Sequence, residues 1–63
     1  ALFGVMSDTA MFAAEFRDEL AQAWFDVYAE ELEAKVAWNW VRFGMREGLF
    51  SKDEYGQYFK VQG

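Results

Sequence analysis

Residues 8–47, DTAMFAAEFRDELAQAWFDVYAEELEAKVAWNWVRFGMRE, carry the reading on which the fold turns. The run has no proline and no glycine before Gly44, and it is rich in Ala and Glu, residues that cost little in a helix. Its first half places Phe12, Phe16, Leu20, Ala23, Trp24, Val27 and Tyr28 at steps of three and four, with Glu15, Asp18, Glu19, Gln22 and Asp26 on the other side. That period predicts an amphipathic helix with one apolar seam. Phe25 lies off the seam and points to a second contacted surface. Ser7, with Asp8 as the alternative, is the expected N-cap, because a side-chain oxygen there can accept from the free N–H groups of the first turn.

The segment 29–35, AEELEAK, is the most polar part of the run and the one place where a helical hairpin would turn. It contains no Gly, Pro, Asn or Ser to reverse the chain, and its residues are mostly strong helix formers. Glu31 and Lys35 stand four apart, an order that supports a helix by about 0.3 kcal/mol. The helix is therefore expected to continue to residue 47, reaching about 60 Å at 1.5 Å per residue.

Past Lys35 the pattern changes. Ala34, Trp38, Val41 and Met45 prolong the seam, while Leu32, Val36, Trp40 and Phe43 form a second apolar face, and Lys35, Asn39, Arg42 and Arg46 share the polar edge. A helix apolar on two sides is packed on two sides. Gly44 allows three outcomes: a close approach, a kink or an early end. Gly48 is the clearer stop, suited to a left-handed C′ position with Leu49 packing back on the helix. Downstream, Ser51 and Glu54 spell a capping box, with Phe50 and Tyr55 placed as a hydrophobic staple. That signature predicts a short helix over 52–60, whose Tyr55, Tyr58 and Phe59 form an aromatic foot; Lys60 to Gly63 read as a frayed end or as the start of further chain.

The expected fold is thus all-α. One long amphipathic helix (about 8–47) and a short C-terminal helix (about 52–60) make residues 1–63 a single small helical domain or subunit. A 63-residue chain buries only about 60% of its unfolded surface, and this one is 54% hydrophobic and 21% aromatic. One helix and a tail cannot hide that much, so completion by oligomerisation or docking is expected.

Charge bounds the partners. The net charge is −5, which argues against a nucleic-acid backbone as ligand, so no nucleic acid is expected. Carboxylates dominate up to position 34, where Arg17 is the lone cation, whereas Lys35, Arg42, Arg46, Lys52 and Lys60 outnumber the acids beyond it. Such asymmetry either favours an antiparallel partner or is chance on solvated faces. No apolar run reaches the roughly 20 residues of a bilayer span, so the chain does not read as membrane-spanning. The lead, residues 1–6, lacks the basic start and the length of a signal peptide, and the cytoplasm is the default compartment.

Chemistry is poorly supplied. The absence of Cys and His removes thiolate and imidazole ligands and nucleophiles. Glu15, Glu19, Asp26 and Glu30 lie on the polar side rather than converging, and Ser7 and Ser51 read as caps. No cofactor, no metal site and no enzymatic activity are expected.

What remains is protein–protein interaction: a small helical subunit or adaptor that assembles as a homo-oligomer or on a larger protein complex and modulates it. The anchors are Trp24, Tyr28, Val36, Trp38, Trp40 and Phe43, with Arg42 and Arg46 setting orientation. Large rings are favoured at such surfaces because they bury much area at low entropic cost. The alternative is an oligomeric helical protein that binds an apolar or aromatic ligand in an intersubunit cavity.

Overall fold

The 8–47 run folds as two helices rather than one. The computed structural model describes residues 2–61, apart from the Phe3 side chain, with helices α1 (Leu2–Val5), α2 (Ala13–Tyr28) and α3 (Ala34–Arg46) and strands β1 (Phe50–Lys52) and β2 (Tyr58–Lys60). The architecture is α+β, so the all-α expectation is corrected at both the 8–47 helix and the 52–60 helix.

The first helix ends at Ala29, which takes a left-handed conformation (φ 55°, ψ 35°) while its N–H donates to the Phe25 carbonyl at 2.8 Å. The chain then runs extended into Glu33 (φ −62°, ψ 147°), where α3 starts. The left-handed alanine costs about 1–2 kcal/mol, and the helix preference of 29–35 adds a few tenths per residue. Against this, the turn lets Phe16, Leu20 and Ala23 of α2 share one core with Ala37 and Val41 of α3. Each large side chain so buried contributes about 1.5–3 kcal/mol, which outweighs the local preference.

At its other end α2 starts five residues later than Asp8. Ser7 Oγ accepts from the Thr9 N–H at 3.1 Å, and the Ser7 N–H donates to Glu19 Oε1 at 2.7 Å, so Ser7 serves a loop. Phe12 occupies the N-cap without any side-chain cap. Met11, just before it, exchanges both backbone hydrogen bonds with Tyr58 (2.9 and 2.6 Å) and so adds a bridge to β2.

The segment predicted as a short helix is an antiparallel hairpin, with Phe50 opposite Lys60, Ser51 opposite Phe59 and Lys52 opposite Tyr58. Ser51 therefore sits within β1 and caps nothing. Asp53 organises the loop: its Oδ1 accepts from the N–H groups of Tyr55 and Gln57, both at 2.9 Å, and its own N–H donates to the Gln57 carbonyl. Gly56 takes φ 82° and donates to the Asp53 carbonyl at 3.1 Å. Asp first and Gly fourth is a turn pattern, and strand pairing to Met11 adds bonds that a two-turn helix lacks. The end is not frayed at Lys60, whose Nζ donates to the Met6 carbonyl (2.8 Å) and pairs with Asp8 (3.2 Å). Val61 donates to the Leu49 carbonyl at 2.8 Å; Gln62 and Gly63 lie outside the described residues.

The close of α3 follows the sequence. Gly48 is left-handed (φ 78°), Leu49 donates to the Gly44 carbonyl at 2.8 Å and Gly48 to that of Met45 at 3.4 Å, the paired bonds of a Schellman motif. Gly44 serves a close approach, since a Cβ there would run into Cδ2 and Cε2 of the Phe50 ring. That ring meets Phe16 edge-on at 4.9 Å, and Phe16 stacks on Tyr58 at 5.7 Å. Met6, Phe16, Leu20, Ala23, Val41 and Phe50 form the core. All six come from α2, α3, β1 and the segment between α1 and α2 of one chain, so the fold-back gives the apolar seam a core that the long-helix expectation did not include. The overall extents are 33 × 23 × 19 Å, well short of the expected helix length.

Candidate interaction surfaces

α3 turns Ala37, Val41 and Gly44 inward, at steps of four and three. Trp38 and Trp40 fall on opposite flanks of that buried stripe, about 160° apart at 3.6 residues per turn.

On one flank the rings form a ladder across the two helices. Trp24 lies 4.6 Å from Tyr28 and 5.4 Å from Trp40, and Trp40 meets Phe43 edge-on at 5.5 Å. Contacts of this geometry add about 0.5–1.5 kcal/mol beyond area. Tyr28 is 52% exposed, and Trp40 and Phe43 are each 39% exposed, so the ladder presents wide apolar surface to solvent. Beside it, Leu2, Leu20, Gly44, Leu49 and Phe50 help line a concavity of about 260 Å³. The Trp24 Nε1–H is buried and has no acceptor among the described residues, a cost of about 1–3 kcal/mol.

The other flank is charged. Lys35, Trp38, Asn39, Arg42, Met45 and Arg46 line an open groove of about 1020 Å³ together with Val41 and Tyr58. Arg17 of α2 lies over the Trp38 ring, and Lys52 of β1 over the Tyr58 ring, both at 5.7 Å from the centroid, a cation–π distance. Arg17 also pairs with its neighbour Asp18 at 2.9 Å. Among the described residues no acidic side chain lines the groove.

Of the residues expected from sequence, Trp24, Tyr28, Trp40 and Phe43 come together in the ladder, and Trp38, Arg42 and Arg46 in the groove. Val36 is 38% exposed and lines neither concavity. The sequence reading missed Arg17, Lys52 and Tyr58 for the groove, and Leu2, Leu49 and Phe50 for the ladder side. Arg17 stands 21 positions before Trp38, about 30 Å away on a continuous helix; only the turn at Ala29 brings them together.

The chain matches no protein-family model, no curated protein and no solved structure. Among the described residues no helix is long and apolar enough to cross a membrane, and no group of three or more Asp or Glu side chains is placed to hold a metal ion.

Proposed function

We propose that this chain is a protein-interaction subunit, assembling with itself or on a larger protein through the ring ladder on the Trp40 flank of α3. The observation that supports it is the continuity of Tyr28, Trp24, Trp40 and Phe43 as touching rings that stay partly exposed in a chain which buries its own core elsewhere. Contiguous exposed apolar surface is characteristic of docking faces, and Trp and Tyr are over-represented among the residues that dominate binding energy. Sedimentation velocity over the micromolar range tests assembly with itself, with Trp40→Glu expected to weaken it. Photo-crosslinking from position 43 in source cells tests attachment to a larger protein. A monomer by the first measurement with no crosslinked protein by the second refutes the reading.

The concavity beside the ladder favours a second reading, an apolar or aromatic ligand held against Leu20, Trp24 and Phe50. Its walls come from one chain rather than from two subunits. Native mass spectrometry of protein from its source would detect a stoichiometric small molecule, and its consistent absence refutes this alternative.

A further inference from the structure

We infer that the groove on the Trp38 flank receives α2 of a second copy of this chain, running antiparallel to α3, with Arg46, Arg42 and Lys35 facing Glu15, Glu19 and Asp26. The inference rests on the reading of the chain as an assembling subunit, but it uses residues other than the ladder.

Five of the six basic side chains of this acidic chain line the groove or lie on one of its rings. The three on α3 make no ion pair and no side-chain hydrogen bond among the described residues. Their spacing is specific. Lys35 and Arg42 are seven apart, Arg42 and Arg46 four apart, which sets the cations about 10 and 6 Å from one another along the axis. A second helix lying along α3 meets all three only if it carries anions at that spacing.

The chain itself supplies such a helix. On α2, Glu15 and Glu19 are four apart and Glu19 and Asp26 seven apart, the same spacing in the reverse direction. Glu15 and Asp26 are exposed. Asp26 accepts a hydrogen bond from its neighbour Gln22 at 3.1 Å. Glu19 is half-buried and uses Oε1 for the Ser7 N–H, leaving its second oxygen for Arg42. Among the described residues none of these carboxylates pairs with any of the three cations, so the two complementary rows are open to a second copy. Phe12, 54% exposed three positions before Glu15, would carry an apolar ring to the Arg46 end of the groove, where Met45 lies. A docked helix on a cationic groove with an apolar floor follows the general helix-in-groove mode, and the charges fix its register. A polynucleotide fits less well, because Trp38 and Tyr58 are only partly exposed and each ring already carries a cation of its own chain, which takes stacking surface from a base.

Two double variants of the full chain test this. One carries Lys35→Glu and Arg46→Glu; the other carries Glu15→Arg and Asp26→Lys. All four side chains are exposed, so the folds are expected to survive, and a thermal melt of each variant checks this. In sedimentation equilibrium the wild type is expected to self-associate with an affinity that falls as salt rises. Each variant alone should bind itself about tenfold or more weakly, and an equimolar mixture should recover association through the swapped charges. Variants that self-associate like the wild type, a mixture that does not recover, or a wild type that is monomeric throughout would each overturn the proposal. Association that ignores salt and is lost only with Trp40→Glu also overturns it, while leaving the ladder reading intact. A labelled single-stranded oligonucleotide retained by the wild type at physiological salt, and released by Lys35→Glu with Arg46→Glu, would assign the groove to nucleic acid instead.

Discussion

Ala29→Gly discriminates between the folded hairpin and the continuous helix by its sign. Ala29 is exposed and left-handed at φ 55°, so glycine leaves no cavity there and removes a Cβ clash worth about 1–2 kcal/mol. Part of that gain is lost because glycine has more freedom to give up on folding, about 0.5–1 kcal/mol. The net is a stabilisation of about 0.5–1 kcal/mol. For a domain of this size 1 kcal/mol moves Tm by about 4–8 °C, so an increase of about 2–8 °C is expected.

In an uninterrupted helix the same substitution would cost about 1 kcal/mol and lower Tm by a similar amount. Far-UV circular dichroism melts read the sign directly, and urea denaturation with an unchanged m-value shows that the gain is native stability rather than a shift in the unfolded ensemble. Ala21→Gly, in the middle of α2, is the control and should lose about 1 kcal/mol. A fall in Tm for Ala29→Gly comparable to that of the control would refute the turn at Ala29, and with it the placement of Arg17 over Trp38.

Three further substitutions probe other joints of the fold. Glu33→Asp puts a good capping side chain at the uncapped start of α3 and should stabilise by about 0.5–1 kcal/mol in urea titrations, whereas within a continuous helix it would be mildly unfavourable. Gly44→Ala gains about 1 kcal/mol of helix propensity but overpacks the buried Phe50 ring at a cost of about 1–3 kcal/mol, so a net loss is expected; a double-mutant cycle with Phe50→Leu should show positive coupling. Asp53→Ala removes the acceptor for two loop N–H groups and should cost about 1–2 kcal/mol, with Asp53→Asn recovering most of it.

Much of the local structure is legible in the sequence because it is written locally. Of the expected seam, Phe16, Leu20 and Ala23 are buried while Phe12, Val27 and Tyr28 are exposed, and Gly48 closes α3 through the bonds expected of a left-handed C′ residue. What was not legible is where the long helix breaks. Nothing in 29–35 asks for a turn, and the left-handed residue is an alanine rather than a glycine. The cause lies 12 and 21 positions beyond Ala29, in the area that Val41 and Phe50 bury once the chain has folded back. The C-terminal error differs in kind. Ser51 and Glu54 spell a capping box, but Asp53 and Gly56 spell a turn in the same six residues, and the two patterns compete for one backbone. The Asp53 carboxylate holds two N–H groups of the loop, and Met11 offers Tyr58 a strand partner, so the turn prevails.

The interaction surfaces follow the same division. That Trp38 and Trp40 meet different surroundings was readable from α3 alone, because two positions on a helix point nearly opposite ways. What covers each ring depends on the break at Ala29. Folding back sets Trp24 against Trp40 and Arg17 against Trp38, so a single left-handed alanine both builds the ladder and completes the cationic groove. The chain satisfies its core internally yet leaves two unlike surfaces on the flanks of one helix, one of rings and one of charge. Apolar burial supplies strength without setting register, whereas a row of charges contributes little strength at an exposed site and selects alignment well. On the proposed reading, a subunit bearing both on one helix holds two neighbours under different rules. Raising salt should loosen the groove contact while leaving the ladder contact nearly unchanged, and that difference allows each to be measured in the presence of the other.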